Sequence, residues 1–248
     1  MKKQLKLTAA FLALSSLAFT ADAGEGGFKK IFNGKDLSGW KGNSDLWSVR
    51  DGAITGQTKA EPKLTHNTFL VWQDGKLEDF ELRLQYRIVK GNSGIQYRSH
   101  VKDQGKFGPI VSGYQADFEA GTKYSGILYE EKGRGILALR GEKVEIDGIE
   151  EKQIKRGKRT IKRKVPKKKV TGSLGDTAEM QKKIKSEQWN DYRIVAKGNH
   201  LQHFINGMQT VDVIDKGPGN AKSGILALQI HVGPPMIVQF KNIRLKKL

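Results

Sequence analysis

Alternation of apolar and polar residues is the feature that most constrains how this chain folds. Between Phe80 and Val89 every second residue is apolar, and the residues between them are Glu, Arg, Gln and Arg. Because successive side chains of a strand point to opposite faces, this pattern predicts a strand with one buried and one solvated face. Shorter segments of the same kind predict further strands at residues 46–49, 53–56, 69–72, 192–196, 200–205, 209–214 and 237–245.

Turn and helix signals complete this picture. Asn206-Gly207 separates two predicted strands, and both residues tolerate the positive φ of a tight type I′ hairpin turn. Residues 176–179, Asp-Thr-Ala-Glu, have the form of a capping box and predict one short helix. Many strands, frequent glycine turns and a single helix predict an all-β sandwich, which we expect to form one domain over residues 24–248.

The first 23 residues have the pattern of a signal peptide. Three lysines precede an apolar stretch from Leu7 to about Phe19, and Ala21-Asp-Ala23 forms a small-residue cleavage site. This predicts export to the periplasm or the extracellular space. The apolar stretch is too short for a membrane span, so we expect no transmembrane segment. The chain contains no cysteine, which excludes disulfides.

Positive charge is concentrated in one segment. The net charge is +18, and the segment from Lys152 to Lys169 contains eleven Lys and Arg residues and no acidic residue. We expect a basic insertion at about residues 150–172 that forms a solvated loop. The functional alternative is contact with a polyanion or an anionic envelope. Nucleic acid is disfavoured, because no aromatic residues alternate with the charges as they do in single-strand binders.

Three further segments, residues 92–98, 113–119 and 226–232, alternate apolar residues with groups that bind or transfer protons. By strand alternation, the polar residues that share a face are Gln96 with Arg98, Gln115 with Asp117 and Glu119, and Gln229 with His231. In one sheet these groups would line a polar floor. Such a floor suits a sugar-sized polar substrate.

A series of motifs resembles the 3-keto-disaccharide hydrolase family, long catalogued as a domain of unknown function. The motifs occur in the family's order at residues 27–40, 92–95, 113–117, 189–190, 205–207, 228–231 and 240–244. The resemblance implies a jelly-roll sandwich of the concanavalin-A-like lectin/glucanase superfamily, and cleavage of glycosides whose sugar carries a ketone at C3. This chain differs from the commonest form, which has Glu at Gln115 or its neighbour, and it adds the basic insertion.

The implied chemistry needs three groups. A ketone at C3 acidifies the hydrogen on C2, so a base can remove it, the aglycone can leave from C1, and water can add back. Asp117 and His231 are the candidates for base and acid, in an order that the sequence leaves open. Arg98 is the candidate for stabilising the enolate oxygen. Each has a structural alternative: Arg98 and Asp117 as an ion pair, and His231 as a core histidine.

Five residues are candidates for binding substrate. Gln96, Gln115 and Gln229 can hydrogen-bond to sugar hydroxyls, Glu130 can supply a second carboxylate, and Trp189 can stack on a sugar ring or pack in the core. A divalent metal ion is left open, with Asp117, Glu130 and His231 as candidate ligands, since the sequence contains no recognised metal motif. The alternative to an enzyme is a lectin-like module that binds carbohydrate without cleaving it.

Overall fold

The structure is a computed structural model that describes residues 25–157 and 159–248; the predicted signal peptide, residues 1–23, lies outside them. The described chain begins with a short 3-10 helix, Glu25–Gly27, and has one α-helix, α1 (Thr177–Lys182). The strands are β1 (Lys29–Lys30), β2 (Trp40–Lys41), β3 (Trp47–Arg50), β4 (Ala53–Gln57), β5 (Thr68–Trp72), β6 (Phe80–Val89), β7 (Asn92–Gly105), β8 (Gly108–Glu119), β9 (Leu128–Glu131), β10 (Gly135–Ala138), β11 (Glu142–Arg156), β12 (Arg159–Ser173), β13 (Asn190–Lys197), β14 (His200–Ile205), β15 (Met208–Asp215), β16 (Ile225–Ile230) and β17 (Ile237–Lys247).

Two sheets pack face to face. A ten-stranded sheet has the order β12-β11-β15-β14-β13-β6-β17-β4-β3, with β1 also paired to β17, and a seven-stranded sheet has the order β10-β9-β8-β7-β16-β5-β2. The pairing of β11 with β15 is parallel, whereas the other pairings within the described sheets are antiparallel. The predicted all-β jelly-roll sandwich with one short helix is therefore confirmed.

The core lies between the two sheets and is built by strand alternation. Strand β6 has the bounds that the sequence predicts, and its residues alternate between buried and more exposed positions. Phe80 and Leu82 are fully buried, and each such side chain contributes about 1.5–3 kcal/mol to stability. The inner faces of β7 and β8 supply aromatic partners, including Tyr97, which packs edge-on against Phe80.

Both local signals identified in the sequence are present. Asn206 and Gly207 have φ values of 50° and 78°, as the tight turn between β14 and β15 requires. Asp176 is the N-cap of α1, and its Oδ1 accepts hydrogen bonds of 2.9 Å from the backbone N–H groups of Ala178 and Glu179.

The prediction of a solvated basic loop is wrong, because the insertion forms a β-hairpin. Strands β11 and β12 pair from Glu142 with Ser173 to Arg156 with Arg159, and the base of β11 also pairs with β15. Val144 and Ile146 are buried at that base. Scattered β-branched residues and a turn at Gly157, with φ of 59°, are enough to form a strand pair despite the charge. We call its projecting part, residues 147–170, the basic ribbon.

The hairpin of β7 and β8 bends over the outer face of its own sheet. Its register shifts between Tyr97 and His100, which marks a β-bulge. Beyond the bulge, Val111 packs with Phe69 and Ala227 on the outer face of neighbouring strands. This overlay buries part of the outer face of the seven-stranded sheet.

Among the described residues, no helix is long and apolar enough to cross a membrane.

Candidate functional site

A chain of buried amides joins three adjacent strands of the seven-stranded sheet. Strands β8, β7 and β16 lie side by side, and Gln96 is paired with Gln115 on one side and Ala227 on the other. Oε1 of Gln115 accepts hydrogen bonds from Nε2 of Gln96 at 2.7 Å and from Nε2 of Gln229 at 2.8 Å. The three polar segments therefore meet on the outer face of one sheet and form a polar floor there.

Asp117 ends this chain of amides. Its Oδ1 accepts a 2.9 Å hydrogen bond from Nε2 of Gln115, and its Oδ2 accepts a 3.4 Å hydrogen bond from Nδ2 of Asn92. Burial raises the pKa of the Asp117 carboxyl from its usual 3.8 to about 8, against the opposing effect of the two amide hydrogen bonds. The carboxyl is therefore mostly protonated at neutral pH.

Glu131 and Asn67 also belong to the site, and neither was identified from the sequence. Glu131 is paired with Gly113 on the neighbouring strand and is buried, which raises its pKa. Its Oε1 accepts a 3.4 Å hydrogen bond from Nδ2 of Asn67, just before β5. The position of Glu131 follows from strand alternation once the register of β8 and β9 is known. Nothing in the sequence around Asn67 indicates its role.

His231 lies at the edge of the polar floor, one residue after β16 ends. It is half-buried, and its Nδ1 is 2.6 Å from the carbonyl oxygen of Val232. The backbone N–H of Val232 donates to Oδ1 of Asn67 at 2.8 Å, so Asn67 joins the His231 segment to Glu131. Burial lowers the pKa of His231 below its usual value, which favours the neutral imidazole.

Glu130 lies on the opposite face of β9 from this cluster. It is paired with Tyr114, whose ring is in the core. Both carboxylate oxygens of Glu130 accept hydrogen bonds from Arg134, which also binds Asp215 at 2.7 Å. The structure does not bring Glu130 to the polar floor, because the side chains of neighbouring strand residues alternate.

Arg98 is also separate from the polar floor. Its φ of 46° places it in the bulge of β7, so the two-residue alternation from Gln96 is interrupted. The side chain is fully buried, and its Nη2 is 2.9 Å from Oδ1 of Asp79. Its other nitrogens donate to the carbonyl oxygens of Glu78, Gly198 and Ala221. The guanidinium ties three connections together and is not paired with Asp117.

Trp189 lies on the outer side of the other sheet. Its ring is 4.1 Å from Nζ of Lys241 on β17 and 5.8 Å from the guanidinium carbon of Arg87 on β6. The structure does not place it beside the polar floor.

The candidate metal ligands are not brought together either. Within residues 25–157 and 159–248, no group of three or more His, Asp or Glu side chains is arranged to hold a metal ion. Asp117 and Glu131 lie close enough for the charge of Glu131 to raise the pKa of Asp117, but Glu130 faces away.

One acceptor of the polar floor has no partner. Oε1 of Gln229 is buried and accepts no hydrogen bond from the described residues. An unpaired buried carbonyl is costly unless a donor reaches it, and a sugar hydroxyl is a suitable donor.

A family model described as the 3-keto-alpha-glucoside-1,2-lyase-like domain matches residues 27–246, nearly all of the described chain. The chain belongs to this family. Membership confirms the family resemblance drawn from the motifs and places the protein among carbohydrate-related, glycosidase-like proteins. A 3-keto-disaccharide hydrolase of Bacteroides thetaiotaomicron is 33% identical over 92 residues. That match covers 34% of this chain and 31% of the relative, so the chain spans about a third of that protein's length.

Solved structures share the fold at low sequence identity. A candidate glycosyl hydrolase from Parabacteroides distasonis superimposes with a TM-score of 0.53 at 18% identity, covering 89% of this chain and 99% of the other. A carbohydrate-binding module from Bacillus subtilis superimposes with a TM-score of 0.50 at 13% identity, covering 84% and 96%. These likenesses concern the sandwich architecture.

Gly94 tests the amide network, because Gln115 lies over it. A Cβ on Gly94 would come within 2.5 Å of Cγ of Gln115. We expect Gly94→Ala to displace Gln115 and lower the free energy of unfolding by roughly 1–3 kcal/mol, as overpacking does. Urea denaturation measures the change, with Gly148→Ala as the control, since neither glycine has a positive φ and a Cβ on Gly148 would meet Lys167 at an ordinary 3.8 Å. Equal losses would mean that the contact with Gln115 is unimportant.

The raised pKa of Asp117 predicts a pH-dependent stability. Between pH 3.8 and about 8 the unfolded carboxyl ionises while the folded one stays protonated, so the folded state progressively loses stability as pH rises. Asn cannot ionise, so Asp117→Asn should gain thermal stability relative to the parent as pH rises from about 4 to about 8. Melting temperatures of both proteins across this range measure the effect. A difference that is constant with pH would show that the pKa of Asp117 is not raised.

Arg98→Met separates a structural role from a role in the site. The substitution removes every hydrogen bond that the guanidinium donates to the three connections, so we expect a loss of roughly 3 kcal/mol in unfolding free energy. Urea denaturation measures this loss. The affinity of the folded variant for a carbohydrate ligand should equal that of the parent protein. Unchanged stability together with lost ligand binding would return Arg98 to the site.

Proposed function

We propose that this protein is an exported enzyme that cleaves 3-keto-glycosides by elimination and hydration. The observation that carries the proposal is the buried polar floor with a protonated Asp117 at one end, in a chain of the 3-keto-α-glucoside-1,2-lyase-like family. The name of the Bacteroides relative supports the same substrate class. The pattern of residues 1–23 supports a periplasmic or extracellular setting.

Asp117 is the proposed general acid. A leaving aglycone oxygen needs a proton, and a carboxyl with a pKa of about 8 carries one at neutral pH. The amide hydrogen bonds from Gln115 and Asn92 hold the carboxyl in place. The sequence left the order of acid and base open, and the direction of this pKa shift favours Asp117 as the acid.

His231 is the proposed base. Its Nδ1–H is positioned to donate to the carbonyl of Val232, and this hydrogen bond leaves Nε2 with a free lone pair. The lowered pKa keeps the ring neutral and able to accept a proton. Two titratable groups whose environments shift their pKa values in opposite directions are a common sign of an acid–base pair.

The proposed reaction balances as follows. Nε2 of His231 takes the proton from C2, and the electrons of that C–H bond enter the enolate of the C3 ketone. The enolate then forms the C1–C2 double bond while the C1–O bond breaks, and the leaving oxygen takes the proton of Asp117. In the return step, the oxygen of water attacks C1 while the carboxylate of Asp117 takes a proton from that water. The imidazolium of His231 then returns a proton to C2.

The polar floor supplies binding and orientation. Gln229 offers a buried, unpartnered Oε1 to a hydroxyl donor, and its Nε2 donates to Oε1 of Gln115, which also accepts from Gln96. Amide N–H groups can also stabilise developing charge on an enolate oxygen. Arg98 has no part in this scheme, because its guanidinium is bound elsewhere.

The primary test is cleavage of a 3-keto-disaccharide by the purified protein, with its unoxidised parent disaccharide as the control. We expect monosaccharide to be released from the keto form alone, because only the ketone acidifies C2. Parallel reactions with and without a chelator test the metal dependence that the sequence leaves open. Retention of the keto-disaccharide without any cleavage would contradict the proposal and support a lectin-like binding module.

Variants test the assigned roles. We expect Asp117→Asn and His231→Ala to lower kcat by at least about 100-fold, the usual contribution of a general acid or base. Matched controls on the other sheet are Asp191→Asn, whose carboxylate is exposed, and His200→Ala, whose ring pairs with Asp212. The controls should retain near-normal turnover.

The pH profile distinguishes the two roles. Turnover should fall as the pH rises through about 8, because Asp117 loses its proton there. Turnover should also fall at low pH, below the usual pKa of histidine, because His231 gains a proton there. The residual activity of Asp117→Asn should lack the decline near pH 8. A decline of the same shape in that variant would remove Asp117 as the acid.

A further inference from the structure

The basic ribbon has two faces, and one of them is turned toward the protein body. On this face Lys152 is paired with Arg163, and Glu150 is paired with Val165. Glu150, Arg163 and Val165 are half-buried there. On the other face Glu151 is paired with Lys164, and both are exposed.

Arg163 reaches from the ribbon to the outer face of the seven-stranded sheet. Its Nη2 lies 2.9 Å from the position that a Cβ on Gly135 would take, and Cε2 of Tyr129 lies 3.9 Å from that same position. Burial raises the pKa of the Tyr129 phenol above its usual value, and the neighbouring guanidinium of Arg163 opposes that rise. The guanidinium therefore lies beside the ring of Tyr129.

Tyr129 in turn borders the polar floor. It is paired with Gln115 across β8 and β9, and strand alternation places it on the same face as Glu131. The charges of Glu131 and Asp117 both act on its phenol. Arg163 thus lies at the rim of the candidate site, although it is remote from the floor in sequence.

We propose that the basic ribbon forms a wall of the candidate site and selects glycans that carry carboxylate groups, with Arg163 as the specificity-determining residue and Lys152 beside it. The proposal rests on the function proposed above and adds a substrate class to it. The planar guanidinium matches a carboxylate with two parallel hydrogen bonds, and the phenol of Tyr129 can donate a third.

The charge of the ribbon supports an acidic occupant. The ribbon supplies a large part of the net charge of +18, and its segment from Lys152 to Lys169 contains no acidic residue. Nζ of Lys152 forms a 2.8 Å ion pair with Oε1 of Glu150, but the two side chains are 59% and 39% exposed, and such pairs open at little cost. The carboxyl of Asp117 adds little repulsion of an anion at neutral pH, since it is mostly protonated there, and Arg163 opposes the charge of Glu131 at Tyr129.

The test measures affinities of the whole protein by titration calorimetry, with trigalacturonate as the acidic probe and maltotriose as the neutral one. We expect tighter binding of trigalacturonate, and we expect Arg163→Gln to reduce the ratio of the two affinities by about tenfold. The matched control is Lys164→Gln, which removes the same charge from the exposed face of the ribbon and should leave the ratio within about twofold.

Three outcomes would overturn the proposal: no preference for trigalacturonate in the parent protein, equal losses in the two variants, or tighter binding of a sulfated maltotriose than of trigalacturonate. Melting curves of both variants establish that they are folded. Failure here and failure of the proposed function are distinguishable. Cleavage of neutral 3-keto-disaccharides without a preference for acidic glycans would support the proposed function and contradict the proposed selectivity. An Arg163-dependent affinity without cleavage would leave only the binding surface.

Discussion

The site depends on one constraint, the alternation of side chains along β7, β8 and β16. The same strands send Ile95, Tyr97 and Leu228 into the core and amide side chains to the other face. The core therefore fixes the register of the polar face, because a slip of one residue would turn the amides into the core and the aromatic side chains to the outer face. A close-packed interior therefore holds the amides and Asp117 in place.

Burial has opposite effects on the two ends of this polar face. It disfavours the charged form of any group, so it keeps the carboxyl of Asp117 protonated and the ring of His231 neutral. The folded β7–β8 hairpin contributes by covering part of the outer face with Val111. A single physical effect, desolvation, thus favours a protonated carboxyl at one end and a neutral imidazole at the other.

Much of the fold was predictable because it is local. The bounds of β6, the turn at Asn206-Gly207 and the cap at Asp176 follow from alternation, positive φ and side-chain capping. The ribbon was not, because its β-branched residues are sparse and its charge resembles that of a solvated segment. The polar segments were correctly expected to meet in one sheet, since each showed a clear two-residue period.

The details of the site depended on register and on long-range contacts, which sequence patterns do not contain. Arg98 was expected beside Gln96, but the bulge turns it away. Choosing between Glu130 and Glu131 requires the pairing of β8 with β9. Asn67 reaches the site from a segment far from β8 in sequence, and only the folded chain shows it.

The ribbon also has a consequence for solubility. Strand β12 is the last strand of its sheet, and a terminal strand offers unpaired backbone groups on which a strand of another molecule could add. Strand β12 carries many exposed lysines, such as Lys162, Lys164 and Lys169. A second copy that paired with this edge would bring like charges together. Mutual repulsion of this kind disfavours self-association along a long exposed strand edge.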